Sequence, residues 1–378
     1  MTFRLSDLAW RNLVHDKVRL VVTVTGIVFA VVLIVVELGL FLGFTTTTST
    51  LIDHSGADLW ITASRVPYIE QGVPFSERKL YAVLGTPGVA TATKFVARFA
   101  QWQRPDGRRE SVQVVGFDPT GQLGGPWNMV EGDPADLKTA DNVFIDEIYR
   151  TKLGVTHRGQ IVEIGGRRAR IVGFTRGIRS FTTSPYVFTS FKNAQLYANV
   201  PEDQTVFVLV KAGPGVSIDG LRARLTPRLH DVDIRTTREF SRMTQIYWMF
   251  TTGAGIAVLL AALLGLVVGV VVVAQTIYAT TMDHLREYGT LKAMGATNGY
   301  LYRVIMQQAV ISAAIGYALG MVVSHFVVEG SQQGGAAILL PLPMAIGMFG
   351  LTVAMCVGAA LVSINKVTRL DPAVVFKG

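Results

Sequence analysis

Six histidines, one cysteine and 27 carboxylates are the residues of this 378-residue chain from which a catalytic or metal centre would be built. A protein-held zinc or iron needs several imidazole or thiolate ligands that converge, and helix-borne pairs are spaced so that both ligands share a face. Cys356 stands alone, which excludes a cysteine cluster and an internal disulfide. His54, His157 and His230 lie far apart, and no His-x-x-x-His or Glu-His pair brings ligands together. There is no Gly-x-Ser-x-Gly elbow to expose a serine nucleophile. No Gly-x-x-x-x-Gly-Lys-[Ser/Thr] loop is present to cradle nucleotide phosphates. We therefore expect no catalytic residue, no metal and no cofactor; a zinc or serine hydrolase site assembled by the fold alone is the alternative. Asp146 and Glu147 read as solvated surface acids. Arg176 and Arg179 with Phe181 either hold an anionic head group or form a solvated loop.

The elements that position these residues are dominated by the membrane. Half of the chain is hydrophobic, mean hydropathy is +0.39 and only 16% is charged, against about 25% in soluble domains. A bilayer core of about 30 Å takes about 20 helical residues. Residues 20–44 carry one charge, Glu37, and form the first span; 246–275, 304–328 and 342–364 are the other three. The first run is longer than a signal-peptide core of roughly 7 to 15 residues and reads as a retained anchor. Lysine and arginine mark the cytoplasmic side. Four lie in the amphipathic helix 1–19, three in the 276–303 loop and three in the 365–378 tail, with none in the short 329–341 outer loop. Both termini are thus expected in the cytoplasm of a multi-pass inner-membrane protein.

Residues 45–245 then form an extracytoplasmic (periplasmic) domain. Its 25 basic and 20 acidic residues make a mixed surface with no stripe for nucleic acid. β-Branched and aromatic runs at 58–62, 90–102, 111–117, 142–148, 160–164, 169–174, 186–191 and 205–210 predict strands, and helices are expected near 76–84, 191–198 and 218–229. The fold class is a membrane protein of four transmembrane helices with a large α+β domain inserted between the first and second. A smaller lobe is expected over 121–183, and Gly165-Gly166 predicts a tight hairpin.

In the 276–303 loop, Leu285, Tyr288, Leu291 and Met294 recur every three residues, giving a short helix with one apolar edge, and Gly295 is its expected stop. Residue pattern alone makes this an amphipathic helix lying on the membrane. Arg286-Glu287-Tyr288-Gly289 followed by Leu291-Lys292-Ala293-Met294-Gly295-Ala296, however, resembles the signature of the FtsX-like, MacB-type ABC transporter permeases. Residues 8–13, 17–20 and 26–30 are most similar to the DevC-type exporter permeases, and Leu370-Asp371-Pro372-Ala373 resembles the family's ending.

The resemblance implies a permease dimer, most simply a homodimer, in which each copy docks a separate cytoplasmic ABC ATPase. Arg286, Glu287, Tyr288, Gly289, Lys292 and Gly295 would be the docking residues. It implies that ATPase motion crosses the bilayer to expel or extract a hydrophobic or amphipathic substrate such as a glycolipid, with a periplasmic membrane-fusion adaptor and an outer-membrane duct as further partners. A haem, porphyrin or drug exporter, or a transmembrane signal transducer without transport, is the alternative. Glu37 and Phe41, four residues apart on one helix face, are candidates for an outward-facing substrate cavity completed by Met243 and Tyr247; the plainer reading of Glu37 is an acid that snorkels or hydrogen-bonds to a neighbouring helix. Gly265-x-x-x-Gly269 and Gly316-x-x-x-Gly320 are expected to let helices approach closely.

Overall fold

The computed structural model describes residues 17–182, 184–283, 285–333 and 337–368. Most of the expected tail helix 1–19 and the 370–373 motif lie outside the described residues, as does part of the outer loop. The chain divides into two units: a membrane unit, with residues 1–42, 257–331 and 338–378, and an inserted domain, with 43–256 and 332–337.

Among the described residues, four helices are long and apolar enough to span a bilayer: Leu20–Thr47, Ala254–Asp283, Asn298–Ser331 and Leu342–Ser363. The second runs eight residues later than hydropathy places it. Its start is delayed by Gly253, whose φ of +75° breaks the helix, after residues Tyr247–Thr251 wind as a π-helix. Its end is prolonged because Thr276, Thr280 and Thr281 return their hydroxyls to carbonyls one turn back, so these polar residues cost the helix little.

Within the membrane unit, the first span is gripped by glycines of the second and third. A Cβ added to Gly316 would lie 2.5 Å from Ile27, and one on Gly320 2.8 Å from Val31. On the second span, Gly269 faces Ile34 and Gly265 faces Glu37. Both Gly-x-x-x-Gly pairs are therefore spent on packing inside one chain. Ile27, Ala30, Val31 and Ile34 are buried as a result, and Thr23 and Thr280 share a hydroxyl hydrogen bond of 2.8 Å between the first and second spans.

Among the described residues, the inserted domain is built on twelve strands: β1 (Leu59–Ala63), β2 (Phe75–Ser76), β3 (Val89–Gln103), β4 (Arg109–Phe117), β5 (Met129–Glu131), β6 (Asn142–Asp146), β7 (Ile161–Ile164), β8 (Arg167–Thr175), β9 (Tyr186–Ser190), β10 (Gln204–Thr205), β11 (Phe207–Ala212) and β12 (Val232–Thr236). The main sheet runs β12-β1-β11-β3-β4-β9-β6-β8-β5, with β7 against β3 and β8. The fifteen-residue β3 belongs to two lobes. Val89–Phe95 pairs with β11, and Val96–Gln103 pairs with β4. One long strand thus supplies edges to two neighbours, β11 along its first half and β4 along its second. Gly165 and Gly166, both at positive φ, close the β7–β8 hairpin. In the first lobe, Leu80, Val83, Leu221 and Leu225 cover one sheet face. Trp60, Phe95, Phe207 and Phe240 pack on the other, their rings 5.3 to 6.4 Å apart.

Candidate functional site

The linking helix between the second and third spans runs Leu285–Ala293. It ends in a Schellman cap: the N–H of Ala296 reaches the carbonyl of Leu291, that of Gly295 reaches Lys292, and Gly295 has φ +93°. Thr297 then opens the third span, accepting from the N–H groups of Tyr300 and Leu301. This double punctuation makes the link short and firm.

Its two faces differ sharply. Tyr288 is 2% exposed, and its hydroxyl donates to Oε1 of Gln308 on the third span at 3.0 Å. Burial away from water raises the phenol pKa well above its usual value. Gly289 is buried beside it, and Leu291 packs on the core of the spans. Glu287, Thr290 and Met294 point the other way and are exposed, with Lys292 half-buried. The side chain of Arg286 lies outside the described residues. The apolar edge expected from three-residue spacing stops at Leu291: Met294 is 72% exposed because it lies past the last helical residue, in the cap.

The four residues drawn together as a substrate cavity fall in different units. Glu37 and Phe41 are half-buried in the first span, and the Glu37 methylenes lie over Gly265, where an added Cβ would stand 3.0 Å from Cγ. Met243 packs on the core of the inserted domain. Tyr247 stacks on Tyr68 at 4.0 Å.

That stack belongs to a cluster which sequence reasoning missed. Where the chain enters and leaves the inserted domain, Phe181 lies edge-on to Phe44 (5.8 Å) and to Trp248 (4.4 Å), and Trp248 meets Tyr68. The Trp248 indole N–H donates to Oε2 of Glu70 at 3.3 Å, while Oε1 is shielded from solvent with no partner among the described residues. Burial pushes the Glu70 carboxyl up to about 7. A lone acid at position 70, with no periodic pattern around it, carries no signal of this enclosure.

Asp146, expected as a surface acid, is 1% exposed. Its carboxylate accepts from the N–H groups of Ile148 (3.2 Å) and Ile178 (2.7 Å) and from the Thr175 hydroxyl (2.9 Å). Burial nevertheless raises its pKa. Arg176 pairs with Glu147 and the Ile178 N–H with Asp146, so the start of the 176–181 segment is fixed, and Phe181 at its far end packs in the cluster. Asp146 is buried for a topological reason: parallel pairing of β6 with β8 brings it opposite Thr175. No group of histidine, cysteine or carboxylate side chains able to hold a metal occurs among the described residues.

Two family models cover most of the chain. Residues 20–228 match the MacB-like periplasmic core domain, and residues 259–372 match the FtsX-like permease C-terminal domain. The chain belongs to the MacB/FtsX-like family of ABC transporter permeases. It is 24% identical over 385 residues to an ABC transporter permease of Mycobacterium tuberculosis, covering 99% of this chain and 98% of that protein. A second permease of the same organism is 22% identical over 378 residues, with 99% and 98% covered. The periplasmic region of MacB from Actinobacillus actinomycetemcomitans aligns with a TM-score of 0.39 at 13% identity, covering 50% of this chain and 94% of that structure. The linking helix lies within the FtsX-like match, and the inserted domain up to residue 228 lies within the MacB-like one.

Proposed function

We propose that this MacB/FtsX-like permease works as a dimer with a separate cytoplasmic ABC ATPase and uses its motion to expel or extract an amphipathic substrate, such as a glycolipid, on the far side of the membrane. Both termini and the linking helix face the cytoplasm, and the inserted domain faces out. The observation that carries the reading is the two-faced linking helix: Glu287, Thr290 and Met294 are exposed for a partner, while Tyr288 is tied by a hydrogen bond to the third span. A force applied to the exposed face reaches the span through a short, capped helix, with little slack to absorb it. Arg286, Glu287 and Lys292 supply charge for the rim of that interface, where complementary charges set partner choice. The permease sequence carries no nucleotide-binding loop, which supports the reading that ATP chemistry belongs to the partner. On the substrate side, Glu37 with Phe41 would contact cargo from the outer leaflet.

The test is charge reversal. Arg286→Glu with Glu287→Arg should weaken co-purification with the ATPase and uncouple its turnover; normal binding and export would reduce the linking helix to an interfacial helix. Glu37→Gln should lower export, or substrate-stimulated ATPase activity, without lowering assembly. ATPase coupling with no detectable cargo would favour a signal transducer over an exporter.

A further inference from the structure

A cavity of about 530 Å³ opens in the inserted domain where β3 passes from one lobe to the other, a volume typical of small-molecule sites. Its walls come from the helix Lys79–Leu84, from β3, from the end of β4 and from the junction of β9 with the helix Phe191–Tyr197. The apolar floor is Leu80, Phe117 and Phe191, each under 10% exposed in the residue as a whole. Three cations stand around it: Lys94, Lys138 and Lys192.

Residues 45–245 contain 19 arginines and only six lysines. Half of those lysines line this one cavity, and no arginine does. Lys94 pairs with Glu77 at 2.8 Å and holds its ammonium 4.7 Å from the centre of the Phe191 ring. Lys138 and Lys192 are exposed and form no ion pair among the described residues. Asp118 is the single carboxylate in the lining, and its Oδ1 already accepts from the Thr120 N–H and hydroxyl at 2.9 and 2.7 Å. The lining therefore carries a net positive charge over an apolar floor. Like charges gathered at one opening repel, and an anion between them relieves that repulsion. Lysine meets such an anion as a compact charge on a flexible stem, with no fixed fork to impose one head-group geometry.

We propose that this cavity binds an anionic amphiphile, an acyl chain or aromatic ring bearing a phosphate, sulfate or carboxylate. The apolar part rests on Leu80, Phe117 and Phe191, and the anion sits among the three lysines. Occupancy of the cavity does not rest on the exporter reading; only the step from ligand to cargo does.

The experiment is equilibrium dialysis of the full chain in nanodiscs against 1-naphthyl phosphate, with empty nanodiscs as the blank. Saturable binding of one molecule per chain is expected, with at least a tenfold loss in the Lys138→Glu, Lys192→Glu double variant and no loss in Lys152→Glu, which lies outside the lining. Inorganic phosphate and 1-naphthol should each bind at least tenfold more weakly. Binding no greater than the blank, or undiminished in the double variant, overturns the proposal. Inorganic phosphate binding as tightly would make it a plain anion site, and naphthol binding as tightly a plain apolar one; either result also overturns it. ATPase co-purification is read separately, so failure here and failure of the coupling reading are distinguishable.

Discussion

The hydroxyl of Tyr288 donates to the side-chain carbonyl of Gln308 at 3.0 Å, across the corner between the linking helix and the third span. Tyr288 is buried there and Gln308 half-buried. Tyr288→Phe keeps the ring packing and leaves Gln308 Oε1 without this donor, at a cost of about 0.5 to 1.5 kcal/mol. Thermal unfolding in detergent should show that loss, and Gln308→Leu added to it should cost less than the sum of the two single changes. Under the coupling reading, Tyr288→Phe still co-purifies with the ATPase while stimulation of turnover falls several-fold. Wild-type stimulation would make the hydrogen bond a packing feature only.

Gly316 should tolerate no side chain. A methyl group there would come within 2.5 Å of Ile27, which is fully buried in the first span. Overpacking of this kind costs about 1 to 3 kcal/mol, so Gly316→Ala should lower the unfolding midpoint. Adding Ile27→Ala should recover part of the loss by making room. If the double variant is as unstable as the sum of its parts, the two helices do not meet at this point.

The Glu70 carboxyl titrates higher folded than unfolded, about 7 against an ordinary 4.5. The folded state therefore holds the proton more tightly. The resulting stabilisation is full below about pH 4.5 and is lost as pH rises through 7, on the order of 3 kcal/mol. Glu70→Gln mimics the protonated form and should flatten that part of the stability profile, most visibly as retained stability at pH 8. Trp248 fluorescence, compared with a Trp248→Phe background, should follow the same midpoint. An unaltered pH profile in Glu70→Gln would remove Glu70 from the explanation.

Asp146→Ala should free the 176–181 segment. It deletes the acceptor of the buried Ile178 N–H and Thr175 hydroxyl and of the part-buried Ile148 N–H, at about 2 to 4 kcal/mol if the two buried donors are left unpaired. Hydrogen exchange at Ile178 should accelerate by orders of magnitude, and Phe181 should lose its fixed packing on Trp248. Protection at Ile178 equal to that of the unaltered protein would contradict the role given to this carboxylate.

The membrane architecture was legible because it is one-dimensional. A bilayer demands long uncharged runs, and four such runs, with a long segment between the first two, need no tertiary information. Gly295 as a helix stop and Gly165-Gly166 as a turn were readable for a related reason: each follows from the φ a single residue must adopt. The linking motif was likewise local, and it carried the family before any coordinate did.

What the chain's order of residues left open depends on contacts between distant positions. Asp146 looks like any loop acid until β6 and β8 pair and bring Thr175 and Ile178 onto it. Glu70, Phe181 and Trp248 have no common period, since they meet only where two ends of one domain converge. Three lysines at 94, 138 and 192 share an opening only because β3 serves two lobes. The sequence by itself determined which segments are long and apolar enough to cross the membrane and where the linking helix stops, because hydropathy and glycine conformation act locally. Tertiary structure alone decided which polar groups are buried, which glycines receive the first span and where charges gather, because desolvation and close packing are properties of neighbours that no spacing along the chain encodes.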